Sequence, residues 1–271
     1  MIPSVALQAM MVKLADGKIL IKRVFYSQKT FFLSVTMKLS KSKVNSYLKC
    51  PLEFKFQYIN EIEMPQNQYM ALGSDVHQVA EKFTEKFGDN ISDIDTRNEL
   101  IKIAYDLDIG YDLTEHIDNL SIFFNEVFVE NNYKLYSNEE YLLDEKNRFS
   151  GICDIILEDE NGGLVIIDYK TSKSSSFSKY RLELCYYKLL VENVYGRNVS
   201  SVGIFFTKNG KLRLLDVCNE DNKRKYLNQS EINHAIDTLH EVREKINDGK
   251  FPARRQFLCR YCTYRKLCDE Y

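Results

Sequence analysis

The spacing of apolar positions changes at Glu139, dividing the chain into a helical stretch and a strand-rich one. Before it, 40–58 reads as a helix interrupted near Cys50-Pro51, with proline opening the second helical piece. Gly73-Ser74 precedes Val76, Val79, Ala80, Phe83 and Phe87, which are apolar at helical spacing, so Ser74 is the expected N-cap. Two further helices are predicted at about 95–107 and 115–133. The second carries Ile117, Leu120, Phe124, Val127 and Phe128 on one stripe.

After Glu139, 141–144, 152–157 and 164–167 are short β-rich runs separated by turn residues, among them Asn161-Gly162-Gly163. A helix is expected over 180–195 and a strand over 201–207. Asn209-Gly210 then gives the strongest hairpin signal, leading into 211–217. Ile232, Ala235, Ile236, Leu239, Val242 and Ile246 mark a long final helix. No internal repeat or low-complexity linker breaks this order, so an α/β domain with a helical insert is expected over 37–271.

Residues 1–36 stand apart. A hairpin is expected over 12–25, about Ala15-Asp16-Gly17-Lys18, with Gly17 supplying the turn. Met37 opens the stronger pattern, so the preceding segment reads either as an appended arm or as the product of an upstream start codon. The apolar runs are too short to span a bilayer, and 1–15 lacks the layout of a signal peptide. A cytoplasmic, reducing location without a membrane is the expectation. There the seven cysteines are expected to include metal ligands rather than structural disulfides.

Composition changes this picture little: 44% hydrophobic and 28% charged residues suit an ordinary folded protein. A net charge of −2 argues against a passive nucleic-acid coat, but the distribution of charge does not. From Lys250 to Cys268 the charged residues are Lys250, Arg254, Arg255, Arg260, Arg265 and Lys266, with Phe251, Phe257, Tyr261 and Tyr264 interleaved. Around Cys50, Lys38, Lys41, Lys43, Lys49 and Lys55 face the single acid Glu53. Two solvated faces are the plain account; brought together, the runs form one phosphate-binding patch.

Two sets of residues carry candidate chemistry. Asp154 lies among apolar residues and glycine in Gly151-Ile-Cys-Asp-Ile-Ile-Leu157, where a carboxylate is costly unless paired or bound to a cation. Asp168 ends the run 164–167, and Lys170 shares its strand face. Carboxylates at the ends of adjacent strands can hold Mg²⁺ or Mn²⁺, with Lys170 beside the attacking water. An isolated Asp-x-Lys is more simply an ion pair capping a strand. His77 follows a glycine-led helix start and could add a nitrogen ligand; His116, His234 and His240 read as packed or solvated residues. The second set is Cys50 with Cys259-x2-Cys262-x5-Cys268, four thiols that suit either zinc or an iron–sulfur cluster. Cys153, Cys185 and Cys218 read as buried small residues.

On these residues, in this order, 38–271 resembles the PD-(D/E)XK nuclease superfamily, in its RecB/AddB-like branch with four cysteines, which includes the CRISPR-associated four-cysteine exonucleases. Ser46-Tyr-Leu-Lys-Cys-Pro-Leu-Glu-Phe54 resembles the first cysteine segment, and Gly73-Ser-Asp-Val-His77 the histidine motif. Gly151-Ile-Cys-Asp154 and Ile167-Asp-Tyr-Lys170 resemble the catalytic strands, and Glu183-Leu-Cys-Tyr-Tyr187 the following helix motif. The resemblance implies a restriction-endonuclease-like fold, a mixed central sheet flanked by helices. A helical part at about 40–135 would precede an α/β core at about 138–248, and the cysteine tail at 257–271 would join Cys50.

It further implies that His77, Asp154, Asp168 and the Tyr169 carbonyl bind Mg²⁺ or Mn²⁺, while Lys170 orients or helps deprotonate the water. Glu183 and Tyr187 would support the lysine or touch DNA. Cys50, Cys259, Cys262 and Cys268 would hold a 4Fe–4S cluster, with zinc as the alternative. Two positions depart from the family pattern: Cys153 stands where the superfamily's name has proline, and Glu183 where the helix motif has glutamine. The implied function is a metal-dependent DNase, an exonuclease on single strands or ends, in repair, recombination or phage and mobile-element DNA processing. The alternative is a DNA-binding or assembly subunit without turnover. No P-loop occurs, so unwinding would require a helicase or recombination partner.

Overall fold

Prolines and glycines set several element boundaries, and buried carboxylates mark where the sheet opens. The computed structural model describes residues 9–13, 19–23, 37–63, 68–173, 177–218, 220 and 225–268. The chain forms two compact units, one of 65–238 and one combining 1–64 with 239–271.

In the first unit, α3 (Gln68–Phe87), α4 (Thr96–Asp106) and α5 (Thr114–Ile122) precede the sheet. Asp95 caps α4 through the Asn98 amide at 3.1 Å. Gly73 and Ser74 lie inside α3, one turn and more past its start, so Ser74 is not the N-cap its sequence suggests. The helix continues back through Tyr69, Met70, Ala71 and Leu72, good formers that carry it past the cap signal. Beyond α5 the chain widens into a π-helix over Phe123–Val129, a register that buries the adjacent Phe123 and Phe124 together and leaves Val127 half-buried.

The strands β4 (Lys134–Asp144), β5 (Phe149–Glu158), β6 (Leu164–Lys170), β7 (Val199–Phe206), β8 (Lys211–Cys218) and β9 (Leu227–Asn228) lie in that order. Pairing is antiparallel except for β6–β7 and β8–β9. The parallel β6–β7 step needs a crossover, supplied by α6 (Arg181–Tyr195), which stops at Gly196 with φ 65°. Thr207–Gly210 turns β7 into β8 as a four-residue loop in which Gly210, at φ 64°, takes the left-handed position. Val76, Val79 and Phe83 of α3 join Leu120, Phe123 and Phe124 against Ile155, Leu157, Val165, Ile167 and Tyr169. One face of β5 and β6 is therefore covered by the helical insert, and α6 packs on the same sheet through contacts such as Tyr186–Phe149 at 5.4 Å. A mixed sheet flanked by helices is the architecture expected from sequence.

In the second unit, β1 (Ala9–Lys13) and β2 (Ile19–Arg23) pair antiparallel, forming the predicted hairpin; its turn lies outside the described residues. A two-residue strand, β3 (Leu39–Ser40), leads into α1 (Lys41–Lys49), capped by Ser40, whose side chain accepts from the Lys43 amide at 3.3 Å. Cys50 is extended, and Pro51 opens α2 (Pro51–Phe54) as anticipated. The last helix, α7 (Gln229–Asn247), enters this unit at Leu239. Tyr47, Phe54 and Phe251 pack ring to ring at 5.5–6.2 Å, and the Tyr47 hydroxyl donates to the Lys250 carbonyl at 2.5 Å. Gln256 donates to the Lys49 carbonyl, and Tyr264 to that of Ile62, both at 3.1 Å. Among the described residues no helix is long and apolar enough to cross a membrane.

Candidate metal centre and cysteine pocket

Three strands bring three carboxylates into one row. The pairs Asn138↔Ile155 and Glu140↔Cys153 set Glu139 opposite Asp154. The β5–β6 ladder ends at Ile155↔Ile167, and one step further in that register Asp154 stands opposite Asp168. There the Asp154 carboxylate replaces the ladder, accepting from the Tyr169 amide at 2.6 Å. Asp154 and Asp168 are 8% and 1% exposed, so neither charge is dispersed by water.

His77 reaches this row from α3. Its Nδ1 lies 3.4 Å from both Glu139 Oε1 and Asp154 Oδ1, and its Nε2 donates to the Tyr169 carbonyl at 3.0 Å. That backbone bond directs Nδ1 toward the carboxylates. Burial opposes charge on His77, but Asp154 by charge and hydrogen bond, Glu139 by hydrogen bond and Asp168 by charge outweigh it and hold the imidazole at about 10. His77, Glu139 and Asp154 each offer a donor atom within 4.8 Å of the others. The buried Glu139 Oε1 accepts no well-aligned hydrogen bond. Two carboxylates and an imidazole nitrogen within one donor group fit a divalent cation, which would displace the proton the carboxylates hold on His77 in its absence.

On the far side of the row, Lys170 Nζ pairs with Asp168 Oδ2 and lies 3.1 Å from Glu183 Oε1. Burial works against its charge, but Asp168, Glu183 and Asp154 prevail and hold the ammonium above the usual lysine range. Tyr187, one turn beyond Glu183 on α6, donates to Asp168 Oδ1 at 2.9 Å. Burial, reinforced by Asp168, pushes its phenol well up, so it remains a donor.

All the residues proposed from sequence for this site, His77, Asp154, Asp168, Tyr169, Lys170, Glu183 and Tyr187, are thus brought together. Glu139, which the sequence did not single out, joins them. The Tyr169 carbonyl takes the His77 ring, and Asp168 is engaged by Lys170 and Tyr187, whereas Glu139 completes the donor group. Sequence reasoning missed Glu139 because the strand was expected to begin at Tyr141. β4 in fact starts at Lys134, and a register shift between Leu135 and Ser137 erases the alternation that would have revealed it. Glu139 itself holds φ 45°, a left-handed conformation that costs a non-glycine residue about 1–3 kcal/mol.

Cys50, Cys259, Cys262 and Cys268 line one cavity in the second unit, with Lys49, Glu53 and Arg265 at its wall. Cys259 and Cys262 are set by a 3₁₀ turn over Phe257–Tyr261, and Cys268 follows another over Arg265–Leu267. None of the seven cysteines is in a disulfide. No three of the four sulfurs come within 4.8 Å of one another, so they are not gathered as ligands of a single ion. Burial pushes the Cys262 thiol up, which means that a bound metal would have to displace its proton. Cys153 and Cys185 are buried as predicted, whereas Cys218, on the thinly covered β8, is only half-buried. His116 is packed against Thr207 Oγ1 at 2.8 Å, and His234 and His240 are exposed.

No curated protein matches the chain. A solved structure titled "Crystal structure of SSO0001" is 13% identical, with a TM-score of 0.34, over 91% of this chain and 98% of that one. A profile of the PD-(D/E)XK nuclease superfamily matches residues 38–269. Because that match runs from before Cys50, through both carboxylate strands, to beyond Cys268, the chain belongs to the PD-(D/E)XK nuclease superfamily.

Proposed function

We propose that this member of the superfamily is a metal-dependent deoxyribonuclease, an exonuclease acting on single strands or DNA ends in repair, recombination or mobile-element processing. The observation that carries the reading is the row Glu139, Asp154 and Asp168 across three strands, with Lys170 two residues beyond the last. His77 Nδ1, Glu139 and Asp154 would hold Mg²⁺ or Mn²⁺, with Asp168 as the adjoining carboxylate. Such an ion supplies Lewis acidity at the scissile phosphate and a more acidic water.

The chain's own groups do the rest. Lys170 presents an ammonium toward negative charge developing on phosphorus, and Glu183 fixes its Nζ. Tyr187 orients Asp168, leaving the opposite oxygen toward Lys170. Tyr169 orients His77 through its carbonyl and Asp154 through its amide.

Residues 37–271 would work as one nuclease domain, with strand separation left to a helicase or recombination partner. The four cysteines would hold a 4Fe–4S cluster that joins the chain ends, with zinc as the alternative. The four cysteines line one cavity, and the Cys259-x2-Cys262-x5-Cys268 spacing with a remote Cys50 is the sequence arrangement that puts the cluster ahead of zinc. Iron and sulfide analysis of anaerobically purified protein, together with a visible absorption band, separates the two.

A second reading, a DNA-binding or assembly subunit without turnover, draws on Lys170 being held by two carboxylates where the family motif has one and a glutamine. Labelled single-stranded DNA with Mn²⁺ decides. The nuclease reading expects degradation that falls at least about 10³-fold in Asp168→Ala and Lys170→Ala. Tight binding without cleavage supports the second reading.

A further inference from the structure

Four aromatic residues are interleaved with the basic residues of 250–268, and the fold sorts them into two kinds. Phe251 packs against Tyr47 and Phe54 and is half-buried, while Tyr264 packs against Phe56, donates to the Ile62 carbonyl and is buried, so both rings are engaged by the fold. Phe257 and Tyr261 do not. They stand at the two ends of one 3₁₀ turn, 71% and 70% exposed, with Leu258 beside them at 50%. The same turn directs Cys259 into the cysteine cavity, so its opposite side carries the rings outward.

Arg260 lies between them, its guanidinium 3.4 Å from the Phe257 ring centroid and 5.3 Å from that of Tyr261. Leu258 lines the cysteine cavity with Cys259, but the two exposed aromatic rings within five consecutive positions form a patch. The segment between Lys250 and Cys268 carries Arg254, Arg255, Arg260, Arg265 and Lys266 and no acidic residue of its own. Lys49, from the other basic run, lines the cysteine cavity together with Arg265 and is paired there with Glu53 at 2.7 Å. Exposed ring faces within a purely cationic segment match a polyanion that also offers flat apolar faces. Duplex DNA hides those faces; a single strand presents them.

We propose that Phe257 and Tyr261 form a stacking platform for the bases of single-stranded DNA, with Arg260 setting the rings and neutralising the backbone beside them. The platform rests on the nuclease reading for the identity of its substrate, and it specifies which form of DNA the cysteine unit grips. Two stacked bases account for at least tenfold in affinity, and a single arginine–phosphate contact for a unit of salt slope.

The test uses the full chain in Ca²⁺, with dT12 and a twelve-residue abasic phosphate strand as probes. The chain has no tryptophan, so Tyr261→Trp installs a single indole reporter that retains a stacking ring. The platform expects dT12 to quench that fluorescence with affinity near wild type, and the abasic strand to leave it unchanged. It also expects Phe257→Ala/Tyr261→Ala to weaken dT12 binding at least tenfold with an unaltered salt slope and unaltered thermal unfolding. Arg260→Ala should lower the slope by about one. If the protein degrades single strands yet the double variant binds dT12 as wild type does, or both probes bind alike, the platform is wrong and the nuclease stands. If the double variant changes only the oligomeric state, the patch is a self-association surface and the platform is wrong. If neither cleavage nor binding occurs, both fail together.

Discussion

Asp154, Asp168 and Lys170 stand on strands buried among apolar residues, and their carboxylates are hydrogen-bonded before any metal arrives. The four cysteines stand instead on two short 3₁₀ turns and one extended residue, tied to α1 by single hydrogen bonds from Gln256 and Arg254. The carboxylate row inherits its geometry from a sheet that would exist without it. The cysteine pocket has little regular structure to inherit from, so a metal held there contributes folding energy directly. A preorganised site binds its ion at small conformational cost; a loop-built site is organised by the ion.

That contrast is most sharply tested by paired deletions. Asp154→Ala should abolish cleavage with only a modest fall in Tm, because the lost bonds to the Tyr169 amide and His77 are partly offset by relief of repulsion among the carboxylates. On the proposed cysteine-held metal, Cys50→Ser should do the reverse in kind: no metal retained at the cysteines and a cost on the order of 3 kcal/mol, roughly 6–12 °C in Tm. Calorimetry and metal analysis of the two variants check this, and equal Tm losses would erase the distinction.

Glu139→Gln probes the residue that only the structure revealed. With the neighbouring donors intact, half-maximal activity should require about tenfold more Mn²⁺, at little change in kcat once saturated. A smaller effect falls on Glu183→Gln, which installs the family's residue. Removing a carboxylate 3.1 Å from Lys170 should lower KM for DNA a few-fold while thermal unfolding stays unchanged. An unchanged KM would remove phosphate repulsion as the consequence of Glu183.

The smallest predicted effect concerns pH. Burial lowers the pKa of His116, which faces Thr207 at the end of β7. The folded state therefore favours the neutral ring, and its contribution is fully present above the unfolded value of about 6.5 and lost as pH falls through the lower folded value. Tm should decline on acidification over that range, and His116→Gln should flatten part of the slope.

The order of helices and strands was legible because period carries it: Phe83 and Phe124 fall on helical stripes, and the run 164–167 is apolar throughout. Asp154, Asp168 and Lys170 were legible because charge at the end of an apolar strand is costly enough to mark itself. Ser74 misled because a cap signal is local and a favourable upstream run overrode it. Glu139 escaped because a bulge and a left-handed residue break the alternation on which strand reading depends.

By itself, then, the sequence determined the kinds of elements, the carboxylate–lysine motif and the presence of four metal-competent cysteines, since each depends on neighbours a few residues away. Only the tertiary structure decided that Glu139 joins His77 and Asp154 in one donor group, that Glu183 holds Lys170, and that Phe257 and Tyr261 are left facing water while Tyr264 is buried. Those outcomes depend on strand register and on packing between distant segments, where identical residue types receive opposite fates according to which neighbour the fold supplies.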